Sequence, residues 1–463
     1  MCLHRSGRTP SLNVDFNFNC GIRDQLSSGN FFFDIGATVI DCWDRSSDDD
    51  AVITVGEAVQ LVLRQIRPLP AEEVTLLEGH ERVLCENVRA ARHVPPFNNS
   101  AMDGFAVRWA DVRHSSPESP AILRLLETVP AGYVATQRLV KGTAIRIMTG
   151  APVPRGSDTV VRVEDTETAG DQVRIRKAEG LGSHIRKAGE DIRSGETILQ
   201  KGRRLTAADL GLIASVGKAR VKVYRRPVVG IISTGDELLN VEDAPQPGKI
   251  VNSNSYTLAA AIAETGAVPR VLGIARDTRK GLVAAFKKSL AYDVIVTSGG
   301  VSVGDFDFVK EAFGDIGVRM RFWRVAQRPG HPMAFGRVGA KPVFGLPGNP
   351  VSSAVSFLLY ARPALLKMMG HKKLFLPVTH ATLEHDIHKH HRLKEFIRCR
   401  IRRENGHVFV CSTGTQSSGV LRSLSLAEGL IIAHEEQELL AKGSVVPVLV
   451  LDYRDRLQAE LGF

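Results

Sequence analysis

The chain has 463 residues, of which 43% are hydrophobic and 24% are charged, and this length and composition predict two to four ordinary globular domains. It has no apolar run near the roughly 18 residues of a membrane span and no signal-peptide core, which predicts a cytoplasmic protein without a membrane segment. Its six cysteines include no CxxC pair, so we expect neither a disulfide framework nor a structural zinc. The net charge of +10 suits an anionic partner, and because no zinc-finger, recognition-helix or aromatic RNA-binding pattern is present, we expect a polyanionic small molecule and no nucleic acid.

The first 51 residues differ in composition from the rest of the chain. They combine an Asn-containing polar stretch, an isolated run of three phenylalanines and a run of three aspartates without a regular period. We interpret residues 1–51 as a disordered extension, or as sequence upstream of the true translation start. Regular structure is predicted to begin with a helix capped by Thr54, and a second capped helix begins at Thr206. Residues 52–93 and 196–222 are predicted to form one discontinuous N-terminal linker domain.

Residues 94–195 are rich in strand-like segments and glycine-containing turns, which predicts a β-rich lobe inserted into the linker domain. Three of its loops carry polar side chains that can meet a ligand, namely Asp103, then Thr149, then the pair Arg186 and Asp191. Two alternatives stay open on the residues alone. Asp103 fits an ordinary Asp-Gly turn, and Arg186 fits a solvated surface turn with an ion pair.

Residues 223–375 repeat one pattern three times, a short apolar strand followed by a loop of small residues and a helix. Such units imply a mostly parallel sheet that binds its ligands outside the carboxyl ends of the strands. The second strand runs into Ser298, Gly299 and Gly300, with Asp307 close behind. Glycines there let backbone N–H groups approach an anion, and neighbouring acids can hold a hard divalent cation. The pattern therefore predicts a magnesium–phosphate site.

Residues 376–463 return to a β pattern. Asn405-Gly406 lies between two strand-like segments and predicts a hairpin with a type I′ turn, so a small barrel or sandwich is expected here. Arg398 lies in the first of these segments and either lines the outward face of a strand or contacts a ligand. Ser417 lies in a hydroxyl-rich loop that can touch a ligand.

Six segments, taken in order, resemble one family. They are Asn99-Ser-Ala-Met-Asp-Gly-Phe-Ala-Val, Met148-Thr-Gly-Ala-Pro-Val-Pro, Gly189-Glu-Asp-Ile, Ser233-Thr-Gly-Asp-Glu-Leu, Ser298-Gly-Gly-Val-Ser-Val-Gly-Asp and Gly345-Leu-Pro-Gly-Asn-Pro-Val-Ser. This set resembles the MoeA family, the molybdopterin molybdenumtransferases related to gephyrin and to the plant Cnx E domains. The resemblance covers about residues 52–463 and implies a multidomain α/β protein. Its parts are a three-layer, mostly parallel α/β domain of the molybdopterin-binding type, a β-rich inserted lobe and a small C-terminal β-barrel or sandwich.

The resemblance also implies an activity. Members of the family insert molybdate into the dithiolene of adenylyl-molybdopterin, with magnesium-dependent release of AMP. They act as cytoplasmic homodimers whose active cleft lies between the α/β domain of one subunit and the lobe of the other. For this chain the resemblance implies Mg²⁺ as cofactor and molybdate as a substrate. It also implies contacts with a molybdopterin adenylyltransferase and with molybdoenzymes.

Carried over residue by residue, the resemblance assigns site residues in this chain. It implies catalytic roles for Asp103, Glu237 and Asp307, and Mg²⁺ ligation by Glu237, Asp277 and Asp307. Implied substrate-binding residues are Thr149, Arg186, Asp191, Asp277, Ser298, Gly299, Gly300, Arg324, Arg328, Pro347, Pro350, Arg398 and Ser417.

The chain departs from the family at one loop. Where many members have Lys-x-x-x-Lys-Pro-Gly-Lys-Pro, this chain has Arg324-Val-Ala-Gln-Arg-Pro-Gly-His-Pro332. Arg324 and Arg328 keep the positive charge, but a planar guanidinium replaces a compact ammonium. We expect both arginines to bind an oxyanion or a phosphate.

Two other functions compete with the transferase. A molybdopterin adenylyltransferase resembles only residues 223–375, and it carries Gly-Gly-Thr-Gly where this chain has Gly299-Gly-Val-Ser. A gephyrin-like scaffold carries a fused adenylyltransferase domain and a long linker before the corresponding part, whereas about 51 residues precede it here. The sequence therefore favours the transferase.

Overall fold

The structure is a computed structural model that describes residues 52–301 and 308–451. Two predictions lie outside these residues, the extension at 1–51 and the acid Asp307. No helix in the described ranges is long and apolar enough to cross a membrane.

The N-terminal region is built on two capped helices. Helix Val55–Gln65 begins at Thr54, whose hydroxyl accepts from the Glu57 backbone N–H at 3.2 Å, while the Glu57 carboxylate accepts from the Thr54 N–H at 2.8 Å. This reciprocal capping box satisfies two N–H groups that have no partner inside the helix. Helix Ala207–Ser215 has the same arrangement at Thr206, so both predicted caps are confirmed. The remaining elements are strands Ala71–Thr75, Val88–Arg89, Thr197–Leu199 and Arg220–Tyr224 and the 3₁₀ turn Leu77–Gly79.

The β lobe, which comprises residues 94–195, contains a curled six-stranded sheet. Its strands lie in the order Thr159–Arg162, Gly104–Val107, Thr143–Ile147, Ala121–Val129, Gln172–Ile175 and Thr166–Ala169. Phe105 packs in one apolar cluster and its neighbour Ala106 in another, because successive side chains of a strand point to opposite faces. The lobe also contains the short strands Asn99–Ser100 and Ile185–Arg186, helix Trp109–Val112 and the 3₁₀ turn Val163–Asp165.

The central sheet has six strands in the order Val268–Ala275, Val228–Thr234, Val294–Ser298, Lys341–Leu346, Pro332–Val338 and Arg319–Arg324. The first four are mutually parallel, and the last two are joined by antiparallel pairings. Ile231 and Val296 pack in one core, and Ile232 and Ile295 pack in a second. The strands are therefore apolar on both faces, as a sheet covered by helices requires. Its helices are Asn254–Glu264, Arg279–Ser289, Phe308–Asp315 and Pro350–Ser356, and a small added pair of strands is Leu238–Leu239 with Ile250–Val251.

The helix that begins at Pro350 contains a π-helical segment. It runs as Pro350–Ser356, then the π segment Phe357–Ala361, then Arg362–Met368. Pro363 lies just beyond the π segment and has no N–H to give to a carbonyl one turn earlier. A proline inside a helix removes one backbone hydrogen bond between residues i and i−4 in this way. The helix can accommodate the loss by widening locally into a π-helical turn. The π segment carries Tyr360 into the core, where it is 1% exposed.

The C-terminal region is a closed five-stranded barrel. Its strands lie in the order Lys394–Glu404, His407–Ser412, Val378–Leu383, Val445–Val450 and Gly429–Ala433, and the last pairs again with the first. At the predicted hairpin, Asn405 and Gly406 both have positive φ, of 48° and 79°, as a type I′ turn requires. Strand Gln327–Arg328 adds to the barrel, and the other elements are Ile387–His388, Leu439–Leu440 and helix Leu421–Ser425.

The predicted fold class is therefore confirmed, with a barrel rather than a sandwich at the C-terminus. The central sheet is mixed, since two antiparallel strands extend its four parallel ones. The five predicted domain boundaries stay predictions.

Candidate active site

Three loops meet at the carboxyl ends of the parallel strands. Gly299 donates its N–H to the carbonyl of Leu346 at 3.0 Å. The amide nitrogen Nδ2 of Asn254 donates to Ser298 Oγ and to the Gly348 carbonyl, both at 2.7 Å. Asn254 therefore joins the loop after strand Val294–Ser298 to the loop after strand Lys341–Leu346. The third is the loop at Thr234, which lies against Gly299.

Glycine is needed where these loops touch. Gly299 has φ of +98°, and a Cβ placed on it would lie 2.4 Å from the Thr234 carbonyl oxygen. Gly300 has φ of +67°, and a Cβ there would lie 2.9 Å from Thr234 Oγ1. That hydroxyl is buried and has no hydrogen-bond partner in the described part of the chain. A buried hydroxyl without a partner is costly, so the loop offers a hydrogen bond to a ligand.

Three acids lie on the loops beside this glycine pair. The Asp277 backbone N–H donates to Asp236 Oδ1 at 3.2 Å, and the Glu237 carboxylate folds back over Gly235. Burial, followed by the charges of Asp236 and Glu237, raises the pKa of Asp277. A carboxylate whose pKa is raised by neighbouring carboxylates is stabilised by an added cation.

The acids fit one mode of magnesium binding. Within residues 52–301 and 308–451, no three acids, histidines or cysteines come close enough to hold a metal by themselves. Mg²⁺ is often held by one or two carboxylates together with substrate phosphates and waters. Glu237 and Asp277 fit that mode, whereas the predicted third ligand, Asp307, lies outside the described residues.

In the β lobe the structure brings Asp103 and Thr149 together. The backbone N–H of Thr149 donates to Asp103 Oδ1 at 2.7 Å, and its hydroxyl donates to the same oxygen at 2.6 Å. Both hydrogen bonds lower the pKa of Asp103, and the bond from the Thr149 hydroxyl has the larger effect. Both residues are exposed, so the carboxylate is ionised, oriented and open to a ligand.

The other two predicted lobe residues lie on a neighbouring exposed segment. Arg186 pairs with Asn99 across two short strands, and the Asp191 N–H donates to the Val94 carbonyl at 3.0 Å. In the described ranges, no hydrogen bond or ion pair joins Asp103, Thr149, Arg186 or Asp191 to the loops of the central sheet.

Arg328 is held beside the C-terminal barrel. Its strand pairs in parallel with the barrel strand, with Arg328 opposite Glu395, and Arg328 Nε lies 3.7 Å from Glu395 Oε1. The other oxygen of Glu395 lies 3.2 Å from His391 Nε2. Arg324 ends the edge strand of the central sheet, and His331 Nδ1 bonds to the Val325 carbonyl at 2.7 Å.

A buried pair of residues that the sequence analysis missed supports the Arg324–Pro332 loop. Gln327 is fully buried, and its Nε2 donates to the Pro329 carbonyl at 3.1 Å. The Tyr360 hydroxyl donates to Gln327 Oε1. A Cβ on Gly330 would lie 2.7 Å from Gln327 Nε2. No local pattern signals this contact, because it joins a loop to a helix more than thirty positions later.

We expect Tyr360→Phe to destabilise the fold by about 1–3 kcal/mol, because it leaves the buried Gln327 oxygen without a donor. The measurement is urea unfolding followed by tryptophan fluorescence. Tyr256→Phe is the matched control, since Tyr256 is 62% exposed, and its midpoint should not move. Equal midpoints for the two variants would contradict the assigned hydrogen bond.

Arg398 lies on the outer face of the barrel, since Ile397 and Cys399 beside it fill the barrel core, but the tail loop buries it. It is 0% exposed, and Nη2 donates to the carbonyls of Thr415 and Ser417 at 3.1 and 3.2 Å. Its Nε and Nη1 have no hydrogen-bond partner in the described residues. Burial lowers the pKa of Arg398.

The tail loop reaches the start of the helix at Pro350. The Val351 N–H donates to the Ser418 carbonyl at 3.1 Å, and Pro350 occupies the first helical turn, where its missing N–H costs nothing. The Pro347 carbonyl accepts from Ser298 Oγ at 3.4 Å. Pro347, Pro350 and Ser417 therefore lie around the same group of loops as Ser298.

Three family models match the chain in order. The MoeA N-terminal region (domain I and II) matches residues 53–217, the probable molybdopterin binding domain matches 230–367, and the MoeA C-terminal region (domain IV) matches 380–451. Together they cover most of the chain, including both regions that flank the central sheet.

Curated relatives and solved structures agree with these matches. Molybdopterin molybdenumtransferase 2 of Mycobacterium tuberculosis is 38% identical over 401 residues, which is 85% of this chain and 98% of the relative. Molybdopterin molybdenumtransferase of Bacillus subtilis is 36% identical over 404 residues, 86% of this chain and 94% of the relative. Two crystal structures of the molybdopterin biosynthesis MoeA protein from Pyrococcus horikoshii superpose with TM-scores of 0.76 and 0.70. They are 31% and 29% identical and cover 86% of this chain and 99% and 100% of theirs.

Proposed function

The chain belongs to the MoeA family, and we propose that it is a molybdopterin molybdenumtransferase of molybdenum cofactor biosynthesis. The relatives that share at least 36% of its residues over 85% of its length carry that name. The observation that carries the proposal is the meeting of glycine loops and acids at one edge of the central sheet. An adenylyltransferase is not favoured, because the similarity extends over both flanking regions.

In the proposed reaction, adenylyl-molybdopterin and molybdate give the molybdenum cofactor and AMP. The N–H group of Gly300 and the Thr234 hydroxyl bind phosphate oxygens. Arg324 and Arg328 bind the tetrahedral molybdate dianion, since guanidinium donors pair well with oxyanions. Glu237 and Asp277 would hold Mg²⁺, which would supply charge neutralisation for the phosphoanhydride. Little covalent work by protein groups is needed, so positioning dominates.

The lobe residues are proposed to act on the site of a second copy of the chain. Asp103, Thr149, Arg186 and Asp191 form no bond with the loops of their own central sheet in the described residues. A homodimer in which each lobe covers the partner's loops would use the exposed, ionised Asp103. We further propose a cytoplasmic location and contacts with the adenylyltransferase that supplies the substrate and with the molybdoenzymes that accept the product.

The purified chain, mixed with adenylyl-molybdopterin, Mg²⁺ and molybdate, should release AMP and yield a cofactor that activates an apo-molybdoenzyme. AMP release is followed by chromatography, and activation by the activity of the reconstituted enzyme. Free molybdate and adenylyl-molybdopterin without the chain are the control. Failure to release AMP or to activate the acceptor would reject the transferase.

Asp277→Asn should raise the melting temperature at pH 7. The pKa of Asp277 is raised in the folded state, so its ionised form destabilises the fold above the unfolded-state pKa. This penalty vanishes as the pH falls below that value, near 4 for an ordinary aspartate. The stabilisation by the substitution should therefore be present at pH 7 and absent near pH 3, as scanning calorimetry at the two pH values can show.

The same variant tests magnesium. Millimolar Mg²⁺ should raise the melting temperature of the parent, because a bound cation offsets the repulsion between the acids. In Asp277→Asn that increase should be smaller. An equal increase in both proteins would place the cation elsewhere.

Arg328→Ala should raise the KM for molybdate by about ten- to a hundredfold, because one charge-assisted contact is worth roughly 1.5–3 kcal/mol. Arg328→Lys should recover part of the loss, since it keeps the charge and loses the planar fork. Arg319→Ala, which removes an exposed arginine from the same region, is the control. If both Arg328 variants turn over like the parent, Arg328 has no role in binding.

A further inference from the structure

A large basic cavity lies at the edge of the central sheet opposite the candidate active site. It has a volume of about 930 Å³, and its walls come from the N-terminal region, the central domain and the segment that leads into the barrel. Its basic lining residues are Arg82, Arg203, Arg204, Arg226, Arg362, His371, Lys372 and Lys373, whereas its acids are Glu81 and Glu264.

The cavity is separate from the glycine loops. Arg226 and Val268 line it, and they lie just before or at the start of two parallel strands, whereas Thr234 lies at the far end. Strand Val228–Thr234 has seven residues and spans roughly 20 Å at about 3.3 Å per residue. A ligand in the cavity therefore cannot touch Gly299 or Gly300.

Part of the positive charge in the cavity is not neutralised by the protein. Arg203 pairs with Asp209, and Arg204 pairs with Glu81. Arg226, Lys372 and Lys373, in contrast, form no ion pair within the described residues.

Arg82 provides a buried donor at the same place. Its side chain is 8% exposed, and its Nη2 donates to Glu72 and to the Tyr224 carbonyl. Its Nε is buried and has no hydrogen-bond partner in the described ranges. Burial, followed by the charge of Arg82, lowers the pKa of Arg226. The carboxylate of Glu72, which accepts from Arg82, opposes this shift, so the two guanidinium groups share one carboxylate and a further anion would stabilise both.

Other lining groups suit a small organic ligand. Burial, with the charges of Arg204 and Arg362, lowers the pKa of His371 to about 4, so its neutral ring can donate or accept a hydrogen bond at pH 7. Phe375 is 59% exposed and lines the cavity with Met369. The volume falls within the roughly 300–1,000 Å³ that small-molecule sites occupy.

We propose that this cavity is a second anion site that binds a phosphate-bearing small molecule through Arg82, Arg226 and Lys372. Charge-assisted bonds from arginine and lysine to phosphate oxygens are strong and directional. The site is independent of the proposed transferase activity, because none of its residues belongs to the candidate active site.

The test uses the full chain in phosphate-free buffer with pyrophosphate, AMP and phosphate-free adenosine as probes. Hydrogen exchange followed by mass spectrometry should show protection of peptides at 81–83, 263–268 and 369–377 by pyrophosphate and AMP, and none by adenosine. Localising the protection separates this site from the glycine loops, which are also expected to bind phosphates.

The decisive variant is Arg226→Gln combined with Lys372→Gln, which removes two exposed positive charges. In this variant, half-maximal protection of these peptides should require at least a tenfold higher probe concentration. Protection at 298–301 should be unchanged. The matched control is Arg113→Gln combined with Lys141→Gln, which removes the same charge from exposed positions of the β lobe. The proposal is overturned if neither anion protects the three peptides, or if the decisive and control variants are protected at equal concentrations.

Discussion

Glu237→Gln is expected to slow AMP release by about a thousandfold while leaving the fold unchanged. Glu237 lies on the exposed loop that follows strand Val228–Thr234, beside Asp277 and over Gly235. The neutral amide keeps the shape but removes a charge that is proposed to hold Mg²⁺ against the phosphates. Loss of one electrostatic contact at a reacting centre typically costs about 10²–10³ in rate, and weaker binding of the proposed metal would add to this.

The matched control is Glu242→Gln, an exposed acid five positions later, just beyond the short strand Leu238–Leu239. It removes an equal charge from the region and should turn over like the parent. Circular dichroism and melting temperature check that both variants are folded. A parental rate for Glu237→Gln would remove this residue from the site.

The same variant tests whether the site is shared between two chains. Asp103→Asn should also be inactive alone, because Asp103 is proposed to cover the partner's loops. When the Glu237→Gln and Asp103→Asn proteins are mixed and allowed to exchange subunits, we expect about a quarter of the parental activity to return. Half of the dimers are then mixed, and each mixed dimer has one intact site out of two. No recovery after verified exchange would place both residues in one chain's site.

Much of the fold follows from local signals. Thr54 and Thr206 cap helices because the chain has an acid three residues after each, and Asn405-Gly406 closes a hairpin because both residues accept positive φ. Such rules act over a few residues, so they can be read directly from the chain. The repeated strand–loop–helix pattern likewise predicted the parallel strands of the central sheet.

Other features depend on contacts between distant residues. Arg398 lies on the outer face of its barrel strand, as its alternation with arginines along the chain suggests, because Ile397 and Cys399 on either side of it fill the barrel core. It is nevertheless buried, because the loop at Thr415 and Ser417 covers it. The Gln327–Tyr360 pair and the basic cavity join segments far apart in the sequence. No periodicity records such meetings, because they are decided by how the domains pack.

Gly299→Ala is expected to lower AMP release by at least about a hundredfold and to destabilise the fold by roughly 1–3 kcal/mol. Two effects act together at this position. The φ of +98° is costly for alanine, and its Cβ would lie 2.4 Å from the Thr234 carbonyl oxygen, a backbone atom that cannot rotate away. The loop must therefore shift, which moves the Gly300 N–H that is proposed to bind phosphate.

Gly132→Ala separates the clash from the strain. Gly132 has a similar φ of +89°, but nothing lies within 4 Å of its added Cβ. It should therefore show the strain alone, roughly 1–2 kcal/mol, with a normal rate of AMP release. The measurements are urea unfolding and AMP release for both variants. If Gly299→Ala keeps the parental rate, or if Gly132→Ala slows turnover as much, the glycine loop is a structural turn and the phosphate site lies elsewhere.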